Sequence, residues 1–530
     1  MEKRISFYGH AFVLVLWICL WTSSLMADTY TVINTDDSGA GSLRQAITDA
    51  NSHAGSDTIK FNIPENIAGQ ETWTIQPTTG LPPLTDDGTF IDGTTQAAFI
   101  GGDPNSQGPE IVVNGSLLIP GADYGFQIAS SKNELRALVV NQFLNKQVCL
   151  IGDSNTVAGC FIGTDASGHN RTVNDAIGIY IDCGDYNSIG GLYEGDRNVI
   201  SGNNNVGIGM MSGASYNCVL GNYLGINSSG TDTLGNGIGI GLSCGCKHNR
   251  IGRGNVISGN RHHGVDIEET DSDSNLVIGN MIGTDPSGTT GWGNQECGVQ
   301  IYMGASHNVI GGNSVEDRNI ISGNGDDGIY IETDSISVQG NFIGTDVTGS
   351  YAIANKSAGI RLAWGAQSNM IGGTGEGEGN LISGNQSDGI QIRGEDSYNN
   401  QIAGNIIGAD VEGLTAVQNG MWGIDIGDAK NNKVGPGNLI AFNGEDGILI
   451  YGEQALGNTI TCNSIHSNEK MGIKNGGGNN ELEPPLITSL SPISGTSLPN
   501  AKIEIFSGPD EEGKTFEDSV FADASGNFTS

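Results

Sequence analysis

The sequence predicts an all-β fold, a single-stranded parallel β-helix in which short strands stack coil upon coil. Three observations predict it. The first is a long repeat: Asn-(Val/Ile/Leu)-Ile-Ser-Gly-Asn starts at Asn198, Asn255, Asn319 and Asn380, with a worn copy at Asn438, in steps of 57, 64, 61 and 58 residues. The second is a shorter beat inside it. Gly-(Ile/Val)-x-(Ile/Leu) recurs from Gly298 to Gly423 in steps of 30, 31, 30 and 34 residues, so each long unit is two coils. Its branched residues alternate with a free position, the period of a strand, and Gly-Asn, Asp-Gly or Gly-Gly turns separate the segments. The third is the asparagines. Asn203, Asn260, Asn324, Asn385 and Asn443 share one point of the repeat, and Asn222, Asn280, Asn341 and Asn405 share another. A side-chain amide both donates and accepts, so registered asparagines predict ladders at the corners of a solenoid.

The elements follow in chain order. Residues 1–27 read as an export signal: Lys3 and Arg4, an apolar run from Ala11 to Trp21, and a small residue, Ala27, for cleavage. Residues 28–134 should hold a cap and the first, irregular coils. Here Tyr30–Asn34 alternates as a strand, and Leu43, Ala46, Ile47 and Ala50 occupy one face of a short amphipathic helix. Ser42 and Gln45 have capping-box spacing, and such a helix would lid the open end of a solenoid core. Phe90–Gln96 is read as an irregular strand and loop. Regular coils are expected over 135–474. Residues 475–485, with Asn475-Gly476-Gly477-Gly478, form a flexible linker. Residues 486–530 look like the opening of an immunoglobulin-like β-sandwich, with too few strands to close it, as in a truncated gene product.

Composition limits the function. The 23 basic and 59 acidic residues leave a formal charge of −36, which argues against nucleic acid and anionic membrane surfaces. After the signal, no stretch is apolar for long enough to span a membrane. Eight cysteines remain in the exported chain, without zinc spacing. Cys183 and Cys244 fall two coils apart, too far for a regular disulfide, and buried free thiols are the expected state.

The chain resembles the exported bacterial right-handed parallel β-helix repeat proteins that begin with a CSLREA-type segment, of pectin-lyase-like fold. Gly41-Ser42-Leu43-Arg44-Gln45-Ala46-Ile47 carries that segment, with Gly for the leading Cys and Gln for Glu. Ile91-Asp92-Gly93-Thr94-Thr95-Gln96, the NVISGN blocks and Gly-Asn-x-Ile-Gly-Thr-Asp complete the match over roughly residues 29–475. The resemblance implies a right-handed helix in a secreted or cell-surface protein, an adhesin or glycan-binding scaffold. It assigns no active site.

Candidate chemistry concentrates in three sets. Asp326 and Asp327 precede Gly328 as His262 and His263 precede Gly264, and carboxylates with a histidine on nearby coils suit glycan cleavage. The polygalacturonase pattern, however, runs in the opposite order, one coil apart, with a following Arg-x-Lys that is missing here. Asp388-Gly389 and Asp446-Gly447 mark Asp-Gly as a favoured corner, so a structural turn is the expected role. Asp266, Glu268, Glu269, Asp271 and Asp273 form the densest acidic patch, and one coil pair later Glu332 and Asp334 correspond to Glu268 and Thr270; a solvated face is expected, and Ca²⁺ is the cofactor that the stacking of Asp266, Glu268, Glu332 and Asp334 could hold. Asp165, Asp285, Asp346 and Asp410, each three residues before a glycine, should close Asx-type turns. Tyr180, Tyr302, Tyr330, Trp364 and Trp422 lie in or near the Gly-Ile-x-Ile strands, with Arg361 at the same outward position as Tyr180 and Tyr330. A row of exposed rings can stack on sugars. The resulting expectation is a monomeric, non-catalytic scaffold whose partners are extracellular glycans or surface proteins. A polysaccharide lyase or glycoside hydrolase is the alternative.

Overall fold

The computed structural model describes residues 27–119, 124–172, 174–193, 195–508 and 512–530. All of the expected signal except Ala27 lies outside them. The chain winds into three long parallel sheets, so the fold is the predicted parallel β-helix. The first sheet has 15 strands, from Thr29–Val32 to Thr459–Ile460; the second has 14, from Trp73–Ile75 to Ser464–His466; the third has 13, from Tyr124–Ile128 to Ile473–Gly476. The Asn-x-Ile-Gly blocks form the first sheet, the Asn-Val-Ile-Ser and Gly-Asn-x-Ile-Gly blocks the second, and the Gly-Ile-x-Ile blocks the third.

Register explains the repeat. Val265, Val299, Ile329, Ile360 and Ile390 pair in one column, and Ile267, Ile301, Ile331, Leu362 and Ile392 in another. These side chains point inward, and together with the branched residues of the other two sheets they fill one continuous core from Val32 to Ile465. The irregular first coils share it: Ile59, Ile91 and Leu135 already stand in parallel register.

The asparagine ladders are present, and longer than the repeat suggested. Asn236, Asn294, Asn355 and Asn419, from the alternate coils, join Asn203, Asn260, Asn324, Asn385 and Asn443 in a single ladder. Asn324 is typical: its amide nitrogen donates to Asn355 Oδ1 at 3.0 Å and to the Ile282 carbonyl at 3.3 Å. A second ladder runs from Asn198 through Asn222 and Asn255 to Asn463, and a third lies between the third and first sheets. These amides are buried, and pairing spares them the 1–3 kcal/mol, roughly, that an orphaned buried polar group costs. The ladder also selects glycine next to it. At Gly283 (φ 90°) a Cβ would stand 2.3 Å from Asn324 Oδ1.

The two ends finish differently. The helix Leu43–Asn51 buries Leu43, Ala46, Ile47 and Ala50 in the core, as expected of a lid. Ser42 Oγ accepts the Gln45 N–H, but Gln45 turns to Asp49 Oδ1 at 2.7 Å, so only half of the capping box forms. A second helix, Thr94–Ile100, replaces the loop expected after Phe90–Asp92. Its Gln96 is fully buried and holds Ile63 N and O at 2.9 and 2.8 Å, imitating a missing strand. At the far end Ile473–Gly476 is the last rung of the third sheet, and Asn479 bonds both ways to the Asn458 backbone. The linker glycines therefore begin inside the solenoid. The tail forms a three-stranded and a two-stranded antiparallel sheet. Glu504 takes the Cys462 N–H, and Glu512 takes the Asn468 backbone and side-chain N–H groups.

Candidate functional site

The third sheet presents its outer face in columns, one residue per coil. The free position of Gly-Ile-x-Ile gives Asp266, Gln300, Tyr330, Arg361, Gln391 and Asp425 in succession. The position before the glycine gives His263, Cys297 and Asp327, since Gly264 N–H bonds the Cys297 carbonyl and Gly298 N–H that of Asp327. One residue earlier come His262, Glu296 and Asp326.

His263 and Asp327 thus stand two strand steps apart, about 10 Å, with Cys297 between them. They are not a pair. Each joins a different set. Asp327, 1% exposed, is held by Arg361 Nε at 2.9 Å and accepts the Ala358 N–H at 2.9 Å. Asp388 and Asp446 likewise accept the N–H of Trp422 and Met471 on the following coil. That shared bond gives the Asp-Gly corner its structural role, and Arg361 offsets part of the burial that pushes the Asp327 carboxyl upward.

The histidines converge on Glu296. His262 Nδ1 and His263 Nε2 stand 3.2 and 3.0 Å from its two carboxylate oxygens. Burial lowers the His263 pKa, with Glu296 opposing, and His263 Nδ1 is a buried atom without a hydrogen-bond partner among the described residues. Asp266 follows in the strand Val265–Ile267. It is 7% exposed, and its Oδ1 has no partner among the described residues. Burial, reinforced by the charges of Glu268 and Glu296, pushes its carboxyl up to about 7. A carboxyl raised by burial, a buried imidazole nitrogen and a carboxylate–imidazole pair are therefore gathered within two coils. This is the constellation on the sheet best suited to proton transfer. Glu296 was absent from the sequence candidates, although its offset from Gly298 equals that of His262 from Gly264 and Asp326 from Gly328.

The acidic set does not stack as a calcium site. Tyr302 lies between Glu268 and Glu332 in their column; its hydroxyl donates to Glu268, and that of Tyr330 donates to Glu332 at 2.9 Å. Asp334 lies beyond the strand, on an exposed corner. A different trio, Cys297, Asp326 and Asp327, brings its ligand atoms within 4.8 Å of one another. Ca²⁺ takes oxygen ligands, the Cys297 thiol is held protonated by burial, and Arg361 already occupies Asp327, so the trio does not suit that ion either.

The rings do not form one row. Tyr180 belongs to an earlier coil and packs on Lys146, 4.2 Å from its ring centroid. Tyr302 and Tyr330 are half-buried in different columns, Trp422 donates to Asp446 Oδ2 at 3.2 Å, and Trp364 stands 72% exposed at a corner with φ 50°. A stack that the sequence did not indicate runs along that corner: Tyr186, Tyr216 and His248 overlap at 5.0 and 4.9 Å. The Asp-turns form as expected, with Asp285 Oδ1 accepting Thr289 and Thr290 N–H at 2.9 and 2.8 Å. All eight cysteines among the described residues are free; Cys149, Cys160, Cys246 and Cys297 are buried, but Cys183 and Cys244 are exposed, because they occupy corners rather than the core.

Fold and site together define a parallel β-helix protein with a polar, ring-bearing outer face. No protein-family model matches the chain, and no curated protein does. Solved structures resemble it in fold. The A-modules of the Azotobacter vinelandii mannuronan C-5 epimerases AlgE6 and AlgE4 each align at 16% identity, over 83% and 82% of this chain and 99% and 100% of theirs, with TM-scores of 0.40 and 0.41. The Dettilon tailspike protein aligns at 14% identity over 80% of this chain and 66% of its own, with a TM-score of 0.44. The likeness extends to the fold alone. Among the described residues no helix is long and apolar enough to cross a membrane.

Proposed function

We propose that the chain is an exported, monomeric scaffold that binds extracellular glycan along the outer face of its third sheet. The carrying observation is the column of outward side chains from Asp266 to Asp425. A carboxyl, an amide, the Tyr330 ring, a guanidinium, a second amide and a second carboxyl follow one another at one strand spacing, about 4.8 Å, a pattern suited to sugar hydroxyls on either side of one stacked sugar face. The acidic surface disfavours nucleic acid as the partner. A second reading, a polysaccharide lyase or glycoside hydrolase, is favoured by one observation: the raised Asp266 carboxyl beside the Glu296–histidine pair.

One experiment separates the two. Purified protein is challenged with a panel of polysaccharides, with and without Ca²⁺, scoring binding and the release of reducing or unsaturated ends. Binding without turnover, weakened in Tyr330→Ala or Trp364→Ala, is the expected result. Turnover lost in His263→Gln or Asp266→Asn would replace the scaffold reading with the catalytic one.

A further inference from the structure

Most arginines of this acidic chain already have a partner. Arg44, Arg136, Arg253, Arg361 and Arg393 each hold a carboxylate, and Arg197 and Arg318 lie over aromatic rings. Arg171 and Arg261 do neither. Their Nη2 groups converge on a single neutral atom, Asn204 Oδ1, with Arg261 at 2.8 Å. Two guanidinium groups at one amide oxygen repel each other, and Arg171 adds to burial in lowering the pKa of Arg261, with the nearby Asp175 carboxylate opposing. Asn204 completes the arrangement by donating to Asp175 Oδ1 at 2.6 Å.

The backbone keeps the place open. Asn204, Gly237 and Arg261 each follow a ladder asparagine, on three successive coils. At Gly237 a Cβ would meet the Asn205 carbonyl at 2.2 Å, so the middle coil carries no side chain there. Beside the arginines, sharing Asn204 with them, lies a cavity of about 270 Å³ lined by Asp175, Asn204, Asn205, Gly237, Ile238 and His262. His262 is also a partner of Glu296, so the cavity adjoins the histidine cluster.

We propose that Arg171 and Arg261 form an oxyanion site that takes a carboxylate or sulfate group carried by an acidic glycan. The choice of a glycan rests on the function proposed above; the oxyanion site itself does not. Guanidinium forks match such groups in geometry as well as charge. The oxyanion displaces Asn204 Oδ1 and relieves the repulsion between the arginines. A −36 chain would otherwise repel an anionic polymer, so this is the point where the polymer's charge is accepted.

The test uses the full chain and a charge-conserving swap, Asn204→Asp with Asp175→Asn. It keeps the side-chain hydrogen bond between the two positions and moves an internal carboxylate onto the arginines. Probes are oligogalacturonate, a sulfated galactan oligosaccharide, a carboxyl-reduced neutral oligosaccharide and inorganic sulfate. Wild-type protein should bind an acidic oligosaccharide more tightly than the neutral one, with affinity falling as salt rises. The swap should fold with an unchanged Tm and lose about 100-fold for the acidic probe, and Arg261→Gln should lose about tenfold. The acidic probe that binds identifies carboxylate or sulfate as the group. Equal binding of acidic and neutral probes, untouched by the swap, would overturn the site and leave glycan binding standing. Sulfate raising the Tm of wild-type protein but not of the swap, with no oligosaccharide bound, would keep the site and remove the glycan. No response to any probe would overturn both.

Discussion

Asn324→Ala tests the ladder where its bonds can be counted. Asn324 is fully buried and makes four side-chain bonds. Three of the groups it serves keep another partner. The Ile282 carbonyl still takes the Ser322 N–H, Asn355 Oδ1 still takes the residue 324 N–H, and Asn294 Nδ2 still reaches the Ile257 carbonyl. Only the Asn294 backbone N–H loses its one acceptor, at 3.3 Å. One orphaned buried donor costs about 1–3 kcal/mol, and the remaining weakened bonds add about 1 kcal/mol. The expected loss is therefore about 2–4 kcal/mol, confined to the coils on either side, because each coil of a solenoid contacts only its neighbours. Hydrogen exchange reads it directly: protection should fall at Asn294 and nearby amides and persist near Ile91. The exposed control Asn313→Ala should stay within about 0.5 kcal/mol. A loss below about 0.5 kcal/mol at Asn324, or an even loss along the chain, would refute the reasoning.

Further outcomes follow from particular groups. Asp266 has a folded pKa of about 7, above the 3.8 of a free carboxyl, so the folded state holds the extra proton between those values. Stability should fall as pH rises from about 4 to 7, and Asp266→Asn should become the more stable protein above pH 7, by on the order of 1–3 kcal/mol in urea unfolding. A pH-independent difference would count against a buried carboxyl. Glu512→Ala should speed exchange of the Asn468 amide at least tenfold and leave Asn324 unchanged, since the carboxylate takes the backbone and side-chain N–H groups of Asn468, at the far end of the ladder. Thiol labelling of the native protein should modify Cys183 and Cys244 first and spare Cys149, Cys160, Cys246 and Cys297 until unfolding; early labelling of the buried four would contradict the packing.

The solenoid was legible because each of its components recurs. Branched residues, turn glycines and asparagines each return at the coil interval, so the sheets, the ladders and the helical lid could be read before any contact was known. Coil length is what hid the rest. Successive ladder asparagines are separated by as few as 22 residues, from Asn319 to Asn341, and as many as 39, from Asn280 to Asn319. Counting along the chain therefore loses the column, although counting from the nearest Gly-Ile-x-Ile glycine recovers it. That local offset would have found Glu296, and it would have set Tyr302 between Glu268 and Glu332. The meeting of Arg171 with Arg261 has no such signal. Arg171 sits at the end of a Gly-Thr-Asp loop, where neighbouring units carry other residues, and its contact spans coils of unequal length. Gln96 in Thr94–Ile100 was hidden differently: a buried glutamine replacing strand bonds resembles any polar residue in a loop.

The ladders have a direction. In each of them the amide nitrogen donates toward the later coil, as from Asn203 to Asn236 and from Asn236 to Asn260. Every new coil therefore meets the same chemical demand as the one before it, an outstretched donor, whatever the number of coils already wound. Length becomes a quantity that duplication or deletion of whole coils can change without redesign of the interior. Only the terminus has to answer a different demand, and in the ladder that reaches Asn468 a carboxylate, Glu512, the acceptor that cannot donate in return, brings the winding to a stop.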